Sequence, residues 1–369
     1  MIMEQPIIGT LVDDHIRWLI ENKGMVENFD PNEVQPSSLD LRLGDKAFVM
    51  DASRVFFKTN LQNILDEHAI RTVDISEPQS FKTNEIVIVP LQERLNLPSN
   101  IRGETNPKSS TGRIDVFARV LTNGSSLYDS APYGYKGGLF LEVIPKSFNT
   151  TLVKDLTLTQ LRLFAKDATL SQTNIIDYHN KYTILRDLDD KRIELPYFRD
   201  NDLCLSLSLR PLDNNSNIIG YKSKKTLDDT ILDLSKRTNK ASEFFEPIYY
   251  DPKELIRLEK DTFYLFASNQ KIYIPPELSA EVVDYDTKIG ELRTHYAGFI
   301  DPGFNSYIVL EVRARDTPLI IRHNQPFFRV KFYKNSKIPG KVYGDDLGSH
   351  YQGQTLKLSK YLENDHKET

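Results

Sequence analysis

At 369 residues, with 39% hydrophobic and 27% charged, the chain exceeds one ordinary core and has the composition of two folded domains rather than a disordered polymer. A formal net charge of −5 excludes the broad cationic surface that nucleic acid requires, but leaves room for one anionic ligand in one basic pocket. No apolar run is long enough to span a bilayer. The opening MIMEQPIIGTLVDDHIRW lacks the pattern of a signal peptide, and the single Cys204 permits no intrachain disulfide, so the cytoplasm is the expected compartment.

In chain order, Asp13 to Asn22 predicts a helix, with Ile16, Leu19 and Ile20 at helical spacing and Asp13 or Asp14 as its N-cap. Short β-rich runs follow, broken by Pro, Gly, Asn and Asp: LDLRL at 39–43, EIVIVPL at 85–91, VFARVL at 116–121, GLFLEVI at 138–144 and LTLTQLRLF at 156–164. Such a series predicts an all-β barrel or sandwich. The second half repeats it. The segment from Thr83 parallels that from Lys260, GGLFLEV at 137–143 parallels SYIVLEV at 306–312, and 153–164 parallels 321–332. Three matched segments in one order predict a duplicated barrel. The expected division is a first barrel with its N-terminal helix at 1–165, a connector with the opening strand of the second barrel at 166–226, and a second barrel with a glycine-containing tail at 227–369. The run LCLSLSL at 203–209 makes that connector more than a linker.

Zinc deaminases of nucleobases hold their metal with one His and two Cys, or three Cys, which a lone cysteine cannot supply. His15, His68, His179, His295, His323 and His350 are scattered, with no HExxH-like pair. No zinc site is expected.

Four features carry candidate chemistry. NPKSSTGR at 106–113 sets two hydroxyls between Lys108 and Arg113 in a turn suited to phosphate, although such turns are also common on ordinary surfaces. HYAGFIDPGFNSYIVLEV at 295–312 leads an Asp-Pro-Gly turn into an apolar strand, where alternation puts Val309 and Glu311 on one face. A carboxylate there is paired, or desolvated as a general acid/base needs, or else it points from a barrel rim to water. Glu142 stands at the same strand position of the first half, after the Tyr-rich loop 127–138. The fourth is the tail from Lys341, with Gly344, Gly348 and Gly353 beside Tyr343, His350, Tyr351 and Gln354. By composition alone it reads as a frayed terminus; a segment that closes over a ligand is the alternative.

Together these segments resemble the dCTP deaminase branch of the dUTPase-like superfamily. PSSLDLRLG at 36–44 is similar to its early strand signature. KSSTGR at 108–113 is similar to its Arg-Ser-Ser-x-Ala-Arg motif, with Lys108 for the first Arg and Gly112 for Ala. GFIDPGFNSYIVLE at 298–311 resembles its nucleoside-pocket motif, and Tyr343 to Gln354 its closing segment, with His350 where a Lys is usual. The resemblance implies an all-β fold of two tandem distorted barrels of the dUTPase-like (β-clip) type with a few short helices. It implies zinc-independent hydrolysis of dCTP to dUTP and ammonia, supplying dUTP for dTTP synthesis, with Mg²⁺ accompanying the triphosphate. Glu311, Ser109 and Arg113 are the implied catalytic residues, with Glu142 as the rival base. Lys108, Ser110, Asp301, Val309, Leu310, Tyr343, His350 and Gln354 are the implied substrate-binding residues.

The expected departure is complementary loss. The second copy's phosphate motif should fall at 282–291, VVDYDTKIGE, which has neither the serine pair nor the arginine, and the first copy lacks the Asp-Pro-Gly turn. A site composed from both barrels, within one chain or between neighbours, follows. The partner is a nucleotide and neither nucleic acid nor membrane; feedback by dTTP and homo-oligomerisation stay open. A dUTPase or a bifunctional enzyme forming dUMP remains an alternative, kept by Asp301. A non-catalytic nucleotide-binding protein is favoured if both glutamates are exposed and unpaired.

Overall fold

The computed structural model describes residues 7–53, 60–213, 216–227, 229–284, 292–293, 297–344 and 350–366. Its two halves repeat each other element by element. Each opens on an 11-residue helix, Asp13–Lys23 and Gln172–Tyr182. Strands of equal length follow in both: 11 residues in Ile86–Asn96 and Phe263–Tyr273, and 7 in Ile101–Pro107 and Leu278–Asp284. Lys136–Pro145 and Asn305–Ala314 have 10 each, Asn149–Leu152 and Leu319–Arg322 have 4, and Thr157–Ala165 and Pro326–Lys334 have 9.

The pairings repeat as well. The 10-residue strand lies antiparallel to the 11-residue strand in both halves, and the 9-residue strand to the 7-residue strand. The fold is all-β, two tandem distorted barrels with a few short helices, as expected. The run LDLRL enters the first barrel as strand Leu39–Arg42, beside Thr157–Ala165. Its counterpart LCLSLSL lies in strand Asp202–Ser208, beside Pro326–Lys334. Ile218–Ser223 lies between Phe245–Tyr249 and Phe263–Tyr273, so the middle of the chain is woven into the second barrel.

Two large apolar cores result among the described residues, beside two smaller clusters, and the first recruits from the second half. Tyr221, Phe244, Phe245, Val309, Leu358 and Tyr361 pack with Leu41, Val89 and Leu141 of the first barrel. Hydrogen bonds cross the same seam. The fully buried Arg162 donates to the carbonyls of Ala280 and Ile300, at 2.8 and 3.2 Å, and stacks on Phe299 at 4.2 Å. Among the described residues no helix is long and apolar enough to cross a membrane.

Two expectations are corrected. Asp13 and Asp14 lie inside the first helical turn, where their charge suits the helix dipole, and the capping position is Val12. The tail is no frayed end. Leu356, Leu358 and Tyr361 pack against the first core, and Leu362–Glu363 pairs with Asn239–Lys240. Its apolar residues find a surface that composition could not reveal.

Candidate active site

The motif at 106–113 emerges where strand Ile101–Pro107 ends. Lys108 accepts the amides of Thr111 and Gly112 at 2.8 and 3.1 Å, turning Ser109–Gly112 into one helical turn. The Thr111 hydroxyl donates to Leu158 O at 2.9 Å and pins that turn to the neighbouring strand. Across the seam runs strand Asn305–Ala314. Ile308, Leu310 and Val312 face the second core, so alternation turns Val309 and Glu311 toward the first barrel. Leu310, expected at the ligand, is therefore a core residue.

Glu311 is 1% exposed and accepts the Ala297 amide at 3.3 Å, which overturns the rim position. It presses on the turn so closely that a Cβ at residue 112 would lie 2.7 Å from its Oε1. Gly112, where the family motif has Ala, leaves this contact without a methyl group. Arg113 comes next, buried, its guanidinium 3.8 Å over the Tyr351 ring, donating to Gln354 Oε1 at 2.8 Å and Lys357 O at 2.6 Å. Burial holds its proton affinity below the usual arginine value, and the charge of Glu311 works against that.

These groups border a cavity of about 230 Å³ at the seam. Ser109, Ser110, Arg113, Ala297 and Val309 line it; Glu311 is not itself a lining residue but touches the wall through Gly112 and the Ala297 amide. Phe299, Ile300, Phe304 and Ile308 give it an apolar wall. Asp301 accepts the Ser37 hydroxyl at 2.7 Å and lies 3.6 Å from Arg162; burial raises its pKa, while Arg162 and Ser37 oppose the rise. The turn at 301–303 needs glycine: Gly303 has φ 89°, and a Cβ there would meet Tyr343 O at 2.8 Å.

The tail closes another side. Gln354 bridges Arg113 and Tyr307 O, the latter at 3.0 Å, and the Ser359 hydroxyl donates to Ser110 O at 2.7 Å. It also brings cations that sequence reasoning missed. Lys360 lines the cavity, its pKa lowered to about 8 by burial and by Lys108 and Arg237. His350 is lowered to about 4 by burial and by Lys357, Arg113, Lys360 and Arg237, so it is neutral near pH 7. Residue 350 is a histidine where the family usually has a lysine, and Lys360 is the tail cation that lines the cavity. Lys108 is held by the carboxylate of Asp40, which also lines the cavity. Asp40 sits in the quoted strand signature PSSLDLRLG, the signal that could have found it.

Glu142 is elsewhere. It is fully buried on the outer face of strand Lys136–Pro145 and accepts the Ser53 hydroxyl at 2.8 and 2.9 Å and the Tyr128 hydroxyl at 3.3 Å. Burial raises its pKa. Phe140, Ile88 and helix Leu61–His68 pack over that face. With both glutamates buried and hydrogen-bonded, the condition that favoured a non-catalytic protein does not hold. The second copy's would-be phosphate motif lies outside the described residues from 285 to 291.

Fold and site define a class: fused-barrel proteins in which both halves line a cavity that is apolar on one side and carries Lys108, Arg113 and Lys360 on another. Models of the 2'-deoxycytidine 5'-triphosphate deaminase N-terminal and C-terminal domains match residues 7–167 and 171–362. The chain belongs to the dCTP deaminase family.

A crystal structure of 2'-deoxycytidine 5'-triphosphate deaminase from Agrobacterium tumefaciens is similar at TM-score 0.82 and 33% identity, over 90% of this chain and 99% of that one. A Beutenbergia cavernae protein named "dCTP deaminase, dUMP-forming" is 31% identical over 108 residues, 28% of this chain and 56% of its own length. One of the same name from Nanoarchaeum equitans is 28% identical over 174 residues, 42% and 83% respectively. The match thus spans little more than half of the Beutenbergia protein.

Proposed function

We propose that the protein hydrolyses dCTP to dUTP and ammonia at the inter-barrel cavity, without zinc. The observation that carries this is Glu311, seated by Gly112 beside Arg113 behind the cavity wall. Water attacks C4 of cytosine as Glu311 takes its proton. Glu311 passes that proton to N3, then takes the proton of the new C4 hydroxyl and hands it to the amino nitrogen; the C4–N bond breaks, ammonia leaves, and the C4 carbonyl of uracil forms. A carboxylate aligned before the reaction needs little reorganisation, which is the source of its rate advantage. Arg113 and the Ser109 hydroxyl balance charge at that carbon and orient the water. Phe299, Ile300 and Phe304 hold the nucleoside against Asp301, and Lys108, Ser110 and Lys360 meet the triphosphate, which arrives as its Mg²⁺ complex.

Relatives named dUMP-forming favour a second reading, in which dUTP is cleaved further to dUMP at the same site. One assay separates the two. Purified protein with dCTP and Mg²⁺ should release ammonia and dUTP in equal amounts, unchanged by a zinc-selective chelator. Ammonia with dUMP and pyrophosphate would establish the bifunctional reaction, and absence of ammonia would refute deamination.

A further inference from the structure

Two residues beyond each partner of the Arg113–Glu311 seam stands a charge, and the fold joins these two charges. Alternation along strand Asn305–Ala314 puts Arg313 on the face of Val309 and Glu311, about 6–7 Å further on. Its Nη2 bonds the Asp115 carboxylate and lies 3.0 Å from the Ser147 hydroxyl, and its Nη1 bonds Asp261 O. Asp115 is fully buried; the Arg313 side chain is 11% exposed.

The ion pair is tied into both barrels close to the chemistry. The Asp115 amide donates to Gly112 O at 3.0 Å, and its carbonyl accepts the Lys146 amide at 3.0 Å. Asp115 thus fixes the end of the turn whose Gly112 receives Glu311, and Arg313 fixes the strand that carries Glu311. The Gly112–Glu311 contact is close: a methyl group at residue 112 would lie 2.7 Å from Glu311 Oε1 and 3.1 Å from the Ala297 Cβ, so the carboxylate would have to shift to admit it. The duplicated copy supplies a control. Aligning Glu142 with Glu311 puts Ile144 opposite Arg313, so the arginine belongs to the copy whose glutamate meets the serine–arginine turn.

We propose that Asp115 and Arg313 are a positioning pair that locks the two barrels in the register at which Glu311 meets Gly112 and Arg113. As a statement about turnover this rests on the deamination reading. A shift of about 1 Å between reacting groups can cost about 100-fold in rate. Removing one partner of a buried pair can also prevent folding. The test therefore uses Arg313→Lys, Arg313→Gln and the double variant Asp115→Asn with Arg313→Gln, which keeps hydrogen-bonding groups without charge. Asp115 has φ 57°, a conformation that Asn tolerates.

Ammonia release per dCTP-binding molecule, the latter counted by calorimetry, should fall about 30- to 100-fold in the double variant with KM within about threefold. Arg313→Lys should recover most of the rate. Turnover within threefold of wild type in the double variant overturns the proposal. A second measurement needs no turnover. Gly112→Ala should lower the thermal midpoint in the wild-type background and by less than half as much in the double variant, where the register is released. Equal losses in the two backgrounds overturn the proposal, and they do so even if the wild-type chain releases no ammonia.

Discussion

Glu142 and Glu311 occupy one position in two copies of the same strand, yet their surroundings have nothing in common. Each lies on the outward face of its barrel. Over Glu311 sits the other barrel, with a glycine, an arginine and the wall of a cavity. Over Glu142 sit Ser53, Tyr128 and an apolar helix from its own barrel. A buried carboxylate is therefore not a catalytic signature by itself. Its role follows from what covers it, and duplication lets the two covers diverge.

The comparison breaks most sharply at the glutamates. Glu311→Gln should lower ammonia release at least about 1,000-fold while dCTP still binds, because general-base groups contribute rate more than affinity. Glu142→Gln should keep turnover within about twofold. The reverse pattern, measured by ammonia release and by calorimetric titration with dCTP, would move the reaction to the first barrel.

A smaller effect tests the cationic side of the cavity. Lys360, lowered to about 8, is charged below that pH and neutral above it. An anionic nucleotide prefers the charged form, so affinity should fall as pH rises through about 8, by roughly threefold to tenfold by pH 9.5. Lys360→Arg should flatten that dependence. A dissociation constant that is level from pH 7 to 9.5 in the wild type would remove Lys360 from the phosphate contacts.

The smallest effect returns to Glu142. Its folded-state pKa is raised, so the stability it contributes is full below the unfolded carboxylate value and is lost as pH rises through the folded value. Glu142→Gln should consequently raise the thermal midpoint by a few degrees, about 1–3 °C, at pH 8 and by less at pH 4. A larger gain at pH 4 would contradict burial as the cause of the shift.

Much of this was legible because it was local. The β-rich runs, their order and the repeat are properties of neighbouring residues, and equal strand lengths in the two halves follow from equal patterns. The alternation placing Val309 with Glu311 needed only the period of a strand. It also placed Leu310 in the core, which its proximity to the motif had obscured. Composition alone read the tail as a frayed terminus because its partners are distant in the chain: Arg113 and Gln354 stand 241 positions apart, and Ser110 and Ser359 stand 249 apart. Lys360 was missed for the same reason, since nothing near it in sequence marks it as a residue of the cavity.

The sequence by itself determined an all-β chain made of two copies, each with a candidate glutamate and only one with a serine–arginine turn. Those properties are written in residue type and period. Tertiary structure decided that the glutamate of the second copy meets the turn of the first, within one chain, and that the other glutamate is sealed. Such a contact depends on how two outward faces dock and on whether a glycine leaves room for a carboxylate. Local pattern carries no record of either, because both faces read as the same alternating strand.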